Sequence, residues 1–406
     1  MKRAEENERY RWVILIIVYL SMLAFGFIFQ SIPPILPFIT SELRLTYAQS
    51  GLLMSLFALP GVFITLLGGF LSDRYGMRRL GAGCFLLMMG GVFLVGLGRT
   101  LWILWLGRVI AGFGAFTLVI LLPKILSQWF KEKELGLAMG VFNTCVPLGS
   151  VICFGLFGRM GSLWGWRAPI LLTGIYAFIT SILFLSFYRP SSFQEIKSRE
   201  GPNIYKSVKN MGSSIWWLGL SWLWFHAAFI SFSTFGPDYF LRMGYTIEKG
   251  DFFIGIPPLG ALLLSTPVGY LIDRIRHQEW FIGVGGIALA GLTFSFNFTS
   301  SHLLLVALMG FFCALIPTSI YSLPVEIVKR ENLGLAFGIL STCSSTGAFV
   351  APYLVGKIED LTRSDQWSFI LIPLFYLFIL TSIFFSYRSR IRLRGSLHLS
   401  QVCGHK

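Results

Sequence analysis

The chain has 406 residues, of which 55% are hydrophobic and only 13% are charged, and its formal net charge at pH 7 is +14. Soluble domains carry about 25% charged residues, so this composition excludes an ordinary water-soluble protein. Because helices satisfy their own backbone hydrogen bonds in lipid, we predict an all-α polytopic membrane protein. The apolar runs described below predict twelve transmembrane helices.

Apolar runs long enough to span a bilayer, which takes about 20 residues, recur along the chain. The first run covers 12–32 and ends at a proline cluster. It is too long for a signal-peptide core and has no small-residue cleavage pattern after it, so we expect it to remain as the first span. Five further runs cover 47–71, 80–97, 101–127, 136–157 and 168–187. Together they predict an N-terminal six-helix bundle at 1–187.

A polar segment at 188–213 with five basic residues follows the sixth run. We interpret it as a cytoplasmic linker, which forms either a short helix on the membrane surface or an unstructured connection. Six more runs cover 214–235, 252–272, 280–298, 303–328, 333–355 and 367–387. They predict a C-terminal six-helix bundle at 214–387 and, after it, a basic cytoplasmic tail at 388–406.

The two groups of runs contain repeated sequence. The charged turn at 69–79 recurs in weaker form at 269–276, with its glycine, leucine, aspartate and arginine kept 200 residues later. A second match pairs Leu122-Pro123 with Leu323-Pro324, at the corresponding place in each half. Two matches at equivalent positions indicate a duplicated membrane protein, and parallel duplicated halves are typical of secondary transporters.

Lys and Arg residues are concentrated in the loops of one side when the N-terminus is placed in the cytoplasm. Since basic residues are retained on the cytoplasmic side, we expect both termini and the linker to be cytoplasmic, in the plasma (inner) membrane. Bases in short loops beside lipid headgroups account for the net charge without any nucleic acid. The expected partners are therefore membrane lipid and a small molecule, and we expect a monomer.

The turn at 69–79 resembles the signature loop between helices two and three of the major facilitator superfamily, and the resemblance extends over nearly the whole chain. The matching residues are Gly69, Leu71, Asp73, Arg74, Gly76, Arg78 and Arg79. Arg108, Gly112 and Gly114 are similar to the family's arginine motif in helix four, where the arginine is tied to proton coupling in several members. The resemblance implies two six-helix bundles that enclose a midplane site and rock to expose it alternately to each side.

The turn predicts a cytoplasmic gate. Asp73 and its neighbouring arginines can form ion pairs or place a carboxylate at the positive end of a helix from the other half. The alternative is a solvated turn that only fixes topology. Further gate candidates are Asp273, Arg274, Lys124 and Glu326. The resemblance suggests that Glu326 pairs with Arg274 or Arg276, whereas Lys124 could equally extend toward the headgroups.

Four polar residues within the predicted spans are substrate or coupling candidates: Arg108, His226, Gln30 and Asn143. Arg108 is about 10 Å inside the fourth run, where a charge needs a partner or a wet cavity. It could anchor an anion or modulate a proton site, or hydrogen-bond helix ends. His226 could carry a proton. For His226, Gln30 and Asn143, a hydrogen bond to a neighbouring helix is an equal alternative. No acidic residue is clearly placed at the midplane.

These observations favour a secondary transporter of a small, anionic organic metabolite. The residues also allow coupling of this transport to protons. A proton-coupled exporter of drugs or other amphipathic compounds is the alternative, although helix five has Val146 before Pro147 where such exporters carry a Gly-Pro pair. A non-transporting receptor on the same scaffold is the alternative from another class. The sequence contains no metal-ligand spacing and no nucleophile–base pair, so no cofactor, metal or enzyme activity is expected.

Overall fold

The computed structural model describes residues 2–65, 75–190, 211–275, 277–328, 332–363 and 367–403. Within these ranges the secondary structure is helical, with no strand. Eleven of the described helices are long and apolar enough to cross a membrane. The helix Gln278–Ser295 is not among those eleven, because it begins with the polar pair Gln278 and Glu279, but it coincides with a predicted span.

The first six predicted spans correspond to helices that we call the first set. Their bounds are α1 Lys2–Gln30, α2 Tyr47–Ser55 continuing at 59–65, α3 Met77–Leu97, α4 Leu101–Trp129, α5 Glu132–Asn143 and Cys145–Trp164, and α6 Arg167–Phe187. A short helix, Leu36–Leu43, follows α1. Two of these helices are interrupted, since α2 has a turn at 56–58 and α5 a turn at Thr144.

The last six spans correspond to the second set. Their bounds are α7 Ser213–Arg242, α8 Ile247–Ile275, α9 Gln278–Ser295, α10 His302–Ser322 with the added turn Pro324–Ile327, α11 Leu333–Thr362 and α12 Ser368–Cys403. Several bounds differ from the prediction, and two of the differences bear on the sites described below. The helix α8 begins five residues earlier, and α12 continues through the basic segment predicted as a tail. The predicted linker helix falls at 191–210, outside the described residues.

Packing is extensive within each set. In the first set α3 contacts α4 and α6, and α1 contacts α4, α5 and α6; in the second, α7 contacts α11 and α12, and α8 and α9 contact α10. The main contacts between the sets are α2 with α11 and α5 with α8. These two helix pairs therefore form the seam where the two sets meet. The bundle boundaries themselves stay a prediction.

The helix ends lie at two faces. At one face, which we call the terminal face, the Tyr10 hydroxyl near the start of α1 donates to the Phe187 carbonyl at the end of α6, at 2.6 Å. At the same face the hydroxyls of Ser214 and Ser386 share a hydrogen bond of 3.0 Å, which joins the start of α7 to α12. The other ends form the opposite face, where Glu42 accepts from Trp166 and Arg167 at 2.6 and 2.7 Å.

Candidate functional site

A carboxylate of the second set caps a helix of the first set at the opposite face. Asp360 in α11 accepts the backbone N–H groups of Tyr47 and Ala48, each at 2.8 Å. The first turn of α2 is also closed by a capping box, in which Thr46 and Gln49 bond each other's backbone N–H. The N-terminal N–H groups of α2 are thus satisfied half by its own capping box and half by the other set.

A charged cluster lies beside this cap. Arg242 at the end of α7 donates to Glu359 of α11 at 2.6 Å and also pairs with Asp238. Glu359 is only 2% exposed and accepts a second hydrogen bond from Ser368 at 2.8 Å. The Arg242 guanidinium lies over the Tyr47 ring, 4.9 Å from its centroid. A cation of the second set therefore contacts the aromatic residue whose N–H is capped by Asp360.

Close backbone packing continues the seam between α2 and α11. A Cβ at Gly51 would lie 2.2 Å from the Pro352 carbonyl oxygen, and one at Gly356 would lie 2.2 Å from the Tyr47 carbonyl oxygen. Further toward the terminal face, Thr65 and Thr342 share a hydrogen bond of 2.8 Å. Between described residues, the hydrogen bonds that join the two sets are these three, to Asp360 and between the threonines. The opposite face is thus closed by contacts between the sets.

Two of the described gate candidates at the terminal face, Arg78 and Glu326, bind within their own set. Arg78 donates to the Leu185 carbonyl of α6 at 2.7 Å. Glu326 accepts from Gln278 at 2.8 Å and from Arg390 at 2.5 Å, and Arg390 also pairs with Glu279 at 2.6 Å. The described partner of Glu326 is therefore Arg390 of α12, and not Arg274, because α12 extends beyond its predicted end and brings a basic residue to α10.

The other gate candidates are placed as follows. Gly76 precedes α3 with a φ of +75°, a conformation that favours glycine, and Lys124 is half-buried in α4. Arg274 is exposed at the end of α8. Gly69, Asp73, Arg74 and Arg276 lie outside the described residues, and the Asp273 side chain is not described either, so the cytoplasmic gate stays a prediction.

Arg108 is buried inside the first set, with 2% of its surface exposed. Its guanidinium donates to the carbonyls of Ile28 at 2.8 Å, Leu53 at 3.1 Å and Phe29 at 3.4 Å. It also lies 4.5 Å from the centroid of the Phe57 ring. No carboxylate among the described residues pairs with it. The adjoining cavity has a volume of about 10 Å³, enough for a single water and too small for an organic anion.

The carbonyls that Arg108 binds are available because α1 ends at Gln30 and α2 is interrupted at 56–58. Phe29 would normally bond the N–H of residue 33, but Pro33 has none. Leu53 lies four residues before Phe57, which is in the turn that breaks α2. Gly112, four residues after Arg108, lets α4 approach this turn, since a Cβ there would be 2.3 Å from the Phe57 carbonyl oxygen. Arg108 thus acts as a hydrogen-bonding post between α1, α2 and α4.

No described hydrogen bond joins the remaining substrate candidates to Arg108 or to each other. Gln30 is 1% exposed at the end of α1, and its side-chain oxygen has no partner among the described residues. Asn143 is exposed at the interruption of α5. His226 is half-buried in α7, where Nδ1 lies 3.2 Å from the Trp222 carbonyl and its ring packs edge-on against Trp222. They line three different places, so a shared site stays a prediction.

Asp251 is not among the residues predicted from the sequence, because it lies outside the predicted span at 252–272. The structure begins α8 at Ile247, so Asp251 lies one turn inside the helix and is 1% exposed. Neither of its carboxylate oxygens has a hydrogen-bond partner among the described residues. Thr246, whose hydroxyl accepts from the Lys249 N–H at 3.3 Å, is the helix-start signal that could have extended the span. In the described ranges no group of acidic, His or Cys residues could hold a metal ion.

Comparisons with characterised proteins agree with this architecture. The hexuronate transporter of Bacillus subtilis is 25% identical over 370 residues, which cover 82% of this chain and 85% of that protein. The lysosomal dipeptide transporter MFSD1 of Danio rerio is 23% identical, with 86% and 81% covered, and the probable sulfoacetate transporter SauU of Cupriavidus necator is 24% identical, with 82% and 84% covered.

A solved structure shares the fold. It is a bacterial homolog of the human lysosomal transporter Spinster in an inward-facing and unoccupied conformation, with a TM-score of 0.79 at 15% sequence identity, covering 94% of this chain and 98% of that one. The family model described as Major Facilitator Superfamily matches residues 18–352 and 251–397. The predicted fold class is confirmed, and the chain belongs to the Major Facilitator Superfamily of membrane transporters.

Proposed function

We propose that this protein is a secondary transporter that moves a small organic anion across the plasma (inner) membrane by alternating access. The bundles at 1–187 and 214–387 move relative to each other, and both termini are cytoplasmic. In this orientation the terminal face is cytoplasmic and the opposite face is external. The contacts between the sets at the opposite face then close the protein to the outside.

The observation that carries the proposal is the group of contacts between the two sets of helices at the opposite face. Asp360 and the close approaches at Gly51 and Gly356 lie at the opposite face, whereas Arg78 and Glu326 at the terminal face bind within their own sets. An alternating-access transporter needs contacts that can be made at one face while they are broken at the other. The contacts at the opposite face support a state that is closed there.

The proposed substrate class rests on charge and on relatives. Two of the relatives are named as transporters of hexuronate and sulfoacetate, both of which are anions. Arg108 supplies a buried positive charge that no described carboxylate neutralises. Because its N–H groups are bound to carbonyls in this state, Arg108 attracts an anion through its field, or through direct bonds once the helix breaks rearrange.

A dipeptide is the second candidate substrate, because another relative is named as a lysosomal dipeptide transporter. A dipeptide carries a carboxylate, which suits the same positive charge, but it also carries an ammonium group. Recognition of the ammonium requires an acidic or carbonyl-rich site in addition. Transport of a monoanion that has no amine would therefore distinguish the two substrate classes.

The test is uptake into proteoliposomes that contain the purified protein. We expect labelled glucuronate or sulfoacetate to accumulate and to exchange with unlabelled internal solute, with and without a pH gradient. Dependence on the pH gradient measures coupling to protons, for which His226 and Arg108 are the candidate groups. Exchange of a dipeptide alone would favour the second candidate, and no flux of any of these solutes would contradict the proposal.

Substitutions at Arg108 separate its charge from its role as a post. Arg108→Lys keeps the positive charge but cannot reach three carbonyls, so we expect a lower melting temperature with transport retained. Arg108→Met removes the charge as well, and we expect at least a tenfold loss of apparent anion affinity, on the order of the value of a charged hydrogen bond. Arg99→Met, at an exposed arginine, is the control. Equal anion affinity in Arg108→Met and wild type would remove Arg108 from substrate recognition.

A further inference from the structure

A buried carboxyl group lies in the seam between the two sets at the opposite face. Asp251 is four residues inside α8, about 6 Å along the helix, and is 1% exposed. It faces α5 of the first set so closely that a Cβ on Gly158 would lie 1.8 Å from its Oδ2. The contact exists only while α5 and α8 are packed together at this face.

The carboxyl group lacks the donors that its neighbours have. Glu359 is equally buried but accepts from Arg242 and Ser368, and Asp360 accepts two backbone N–H groups. Glu42 accepts from Trp166 and Arg167. Both oxygens of Asp251, in contrast, are buried without a hydrogen-bond partner among the described residues. The closed face therefore accommodates this carboxyl differently from the other three.

Charged and titratable groups are present on the helices that pack against α8, but none pairs with Asp251 in the described structure. At the opposite face they are Arg159 on α5, Asp238 and Arg242 on α7, His302 on α10, and Glu248 and Lys249 on α8 itself. Arg242 is bound to Asp238 and Glu359, and His302 lies 3.1 Å from the Tyr245 hydroxyl. Arg159 follows Gly158 but is exposed. No described cation compensates a negative charge on Asp251.

The surroundings of Asp251 decide which ligand it can take. An ionised carboxylate buried without a partner costs several kcal/mol. A hard metal cation would need several oxygen ligands, whereas the residue beside Asp251 at the Gly158 contact is Ile247, whose side chain is apolar. A proton needs no further ligands and removes the charge.

We propose that Asp251 is a proton-binding site that must be occupied for the opposite face to close. When that face opens, α5 separates from α8 and water reaches the carboxyl, which then releases its proton to that side. In the described state the protonated carboxyl is sealed from both sides. The proton therefore returns to the side from which it came and controls the conformational equilibrium without being transported.

This inference rests on the alternating access proposed above and gives it a pH dependence. Acid on the side of the opposite face, which is external in the proposed orientation, should favour the closed conformation. Because one proton is taken up on closing, the ratio of closed to open molecules should change by up to about tenfold per pH unit. Substrate is not required for this response.

The test is a distance measurement between spin labels across the opposite face, by pulsed electron resonance. Ser162→Cys at the end of α5 and Met243→Cys after α7 place the labels at exposed positions in the two sets, in a protein whose native cysteines are replaced. We expect the fraction of molecules with the short distance between the labels to increase as the pH falls from 8 to 5. Asp251→Asn and Asp251→Ala should both hold the short distance at every pH. Glu248→Gln, which neutralises an exposed acid on the same helix, should respond as wild type.

A distance distribution of the wild type that does not change with pH overturns the inference, whether or not the variants fold. Retention of the wild-type response in either Asp251 variant overturns it as well. The measurement contains no substrate, so its outcome is separate from that of the uptake assay. A pH-dependent closure without any solute flux would contradict the proposed function alone, and solute flux with pH-independent closure would contradict this inference alone.

Discussion

At the scale of single residues, Arg108 shows how a buried charge can be held without a counter-ion. The end of α1 and the break in α2 leave carbonyl oxygens without their usual helical donors. The Arg108 guanidinium donates hydrogen bonds to carbonyls at both places. From its sequence position, Arg108 could be an anion anchor, a modulator of a proton site or a hydrogen-bonding post. The structure describes the post, and the anion role stays a proposal with its own test.

Asp360 is the residue through which one set caps a helix of the other. Asp360→Asn removes the negative charge at the N-terminus of α2 and leaves one acceptor oxygen for two N–H groups. We expect the closed opposite face to lose about 1.5 kcal/mol, or roughly tenfold in population. The label distance between positions 162 and 243 measures this shift.

The matched control for Asp360 is Glu42→Gln. Glu42 is a carboxylate at the same face, but its partners Trp166 and Arg167 belong to its own set. Its neutralisation should lower the melting temperature without moving the equilibrium between open and closed molecules. If both variants shift the label distance equally, the Asp360 cap is not specific to closure.

At the scale of elements, the seam between α2 and α11 depends on glycines. Gly51→Ala would place a methyl group 2.2 Å from the Pro352 carbonyl oxygen, and backbone atoms cannot move aside as a flexible side chain can. We expect α2 and α11 to separate at the opposite face, at a cost of about 1 to 3 kcal/mol to the closed state. Cysteine labelling at this face should accelerate accordingly.

Gly155→Ala in α5 is the control for Gly51, because nothing lies within 4 Å of the Cβ that it adds. It should leave both the labelling rate and the melting temperature unchanged. An unchanged labelling rate in Gly51→Ala would show that the close approach at the seam is not needed for closure.

At the scale of the whole molecule, the closed opposite face implies a second set of contacts at the terminal face in the alternate state. The turn at 69–79 is the candidate, and its repeat at 269–276 lacks the residues equivalent to Gly76, Arg78 and Arg79. We therefore predict that Asp73→Asn lowers the transport rate more than Asp273→Asn, since the first turn can form more ion pairs. Initial rates of uptake in proteoliposomes compare the two, and equal losses would remove the asymmetry.

Prediction from the sequence was strongest for the helices. A span of apolar residues depends on nearby sequence alone, so each predicted run coincides with a described helix, and the duplication was visible as a repeat. Helix ends were less certain, because polar residues at an end can be buried by other helices. The start of α8 at Ile247 is such a case, and it moved Asp251 from a loop into the seam.

The sequence by itself determined the class of the protein, the number of its helices and its resemblance to a transporter family, because composition, hydrophobic length and repeats are properties of the chain alone. Only the tertiary structure decided that Arg108 binds carbonyls, that Asp360 caps α2, that Glu326 pairs with Arg390 and that Asp251 has no hydrogen-bond partner among the described residues. The three contacts join residues at least about fifty positions apart in the chain, and the isolation of Asp251 depends on which helices surround it. Only the packing of helices against one another could therefore establish these features.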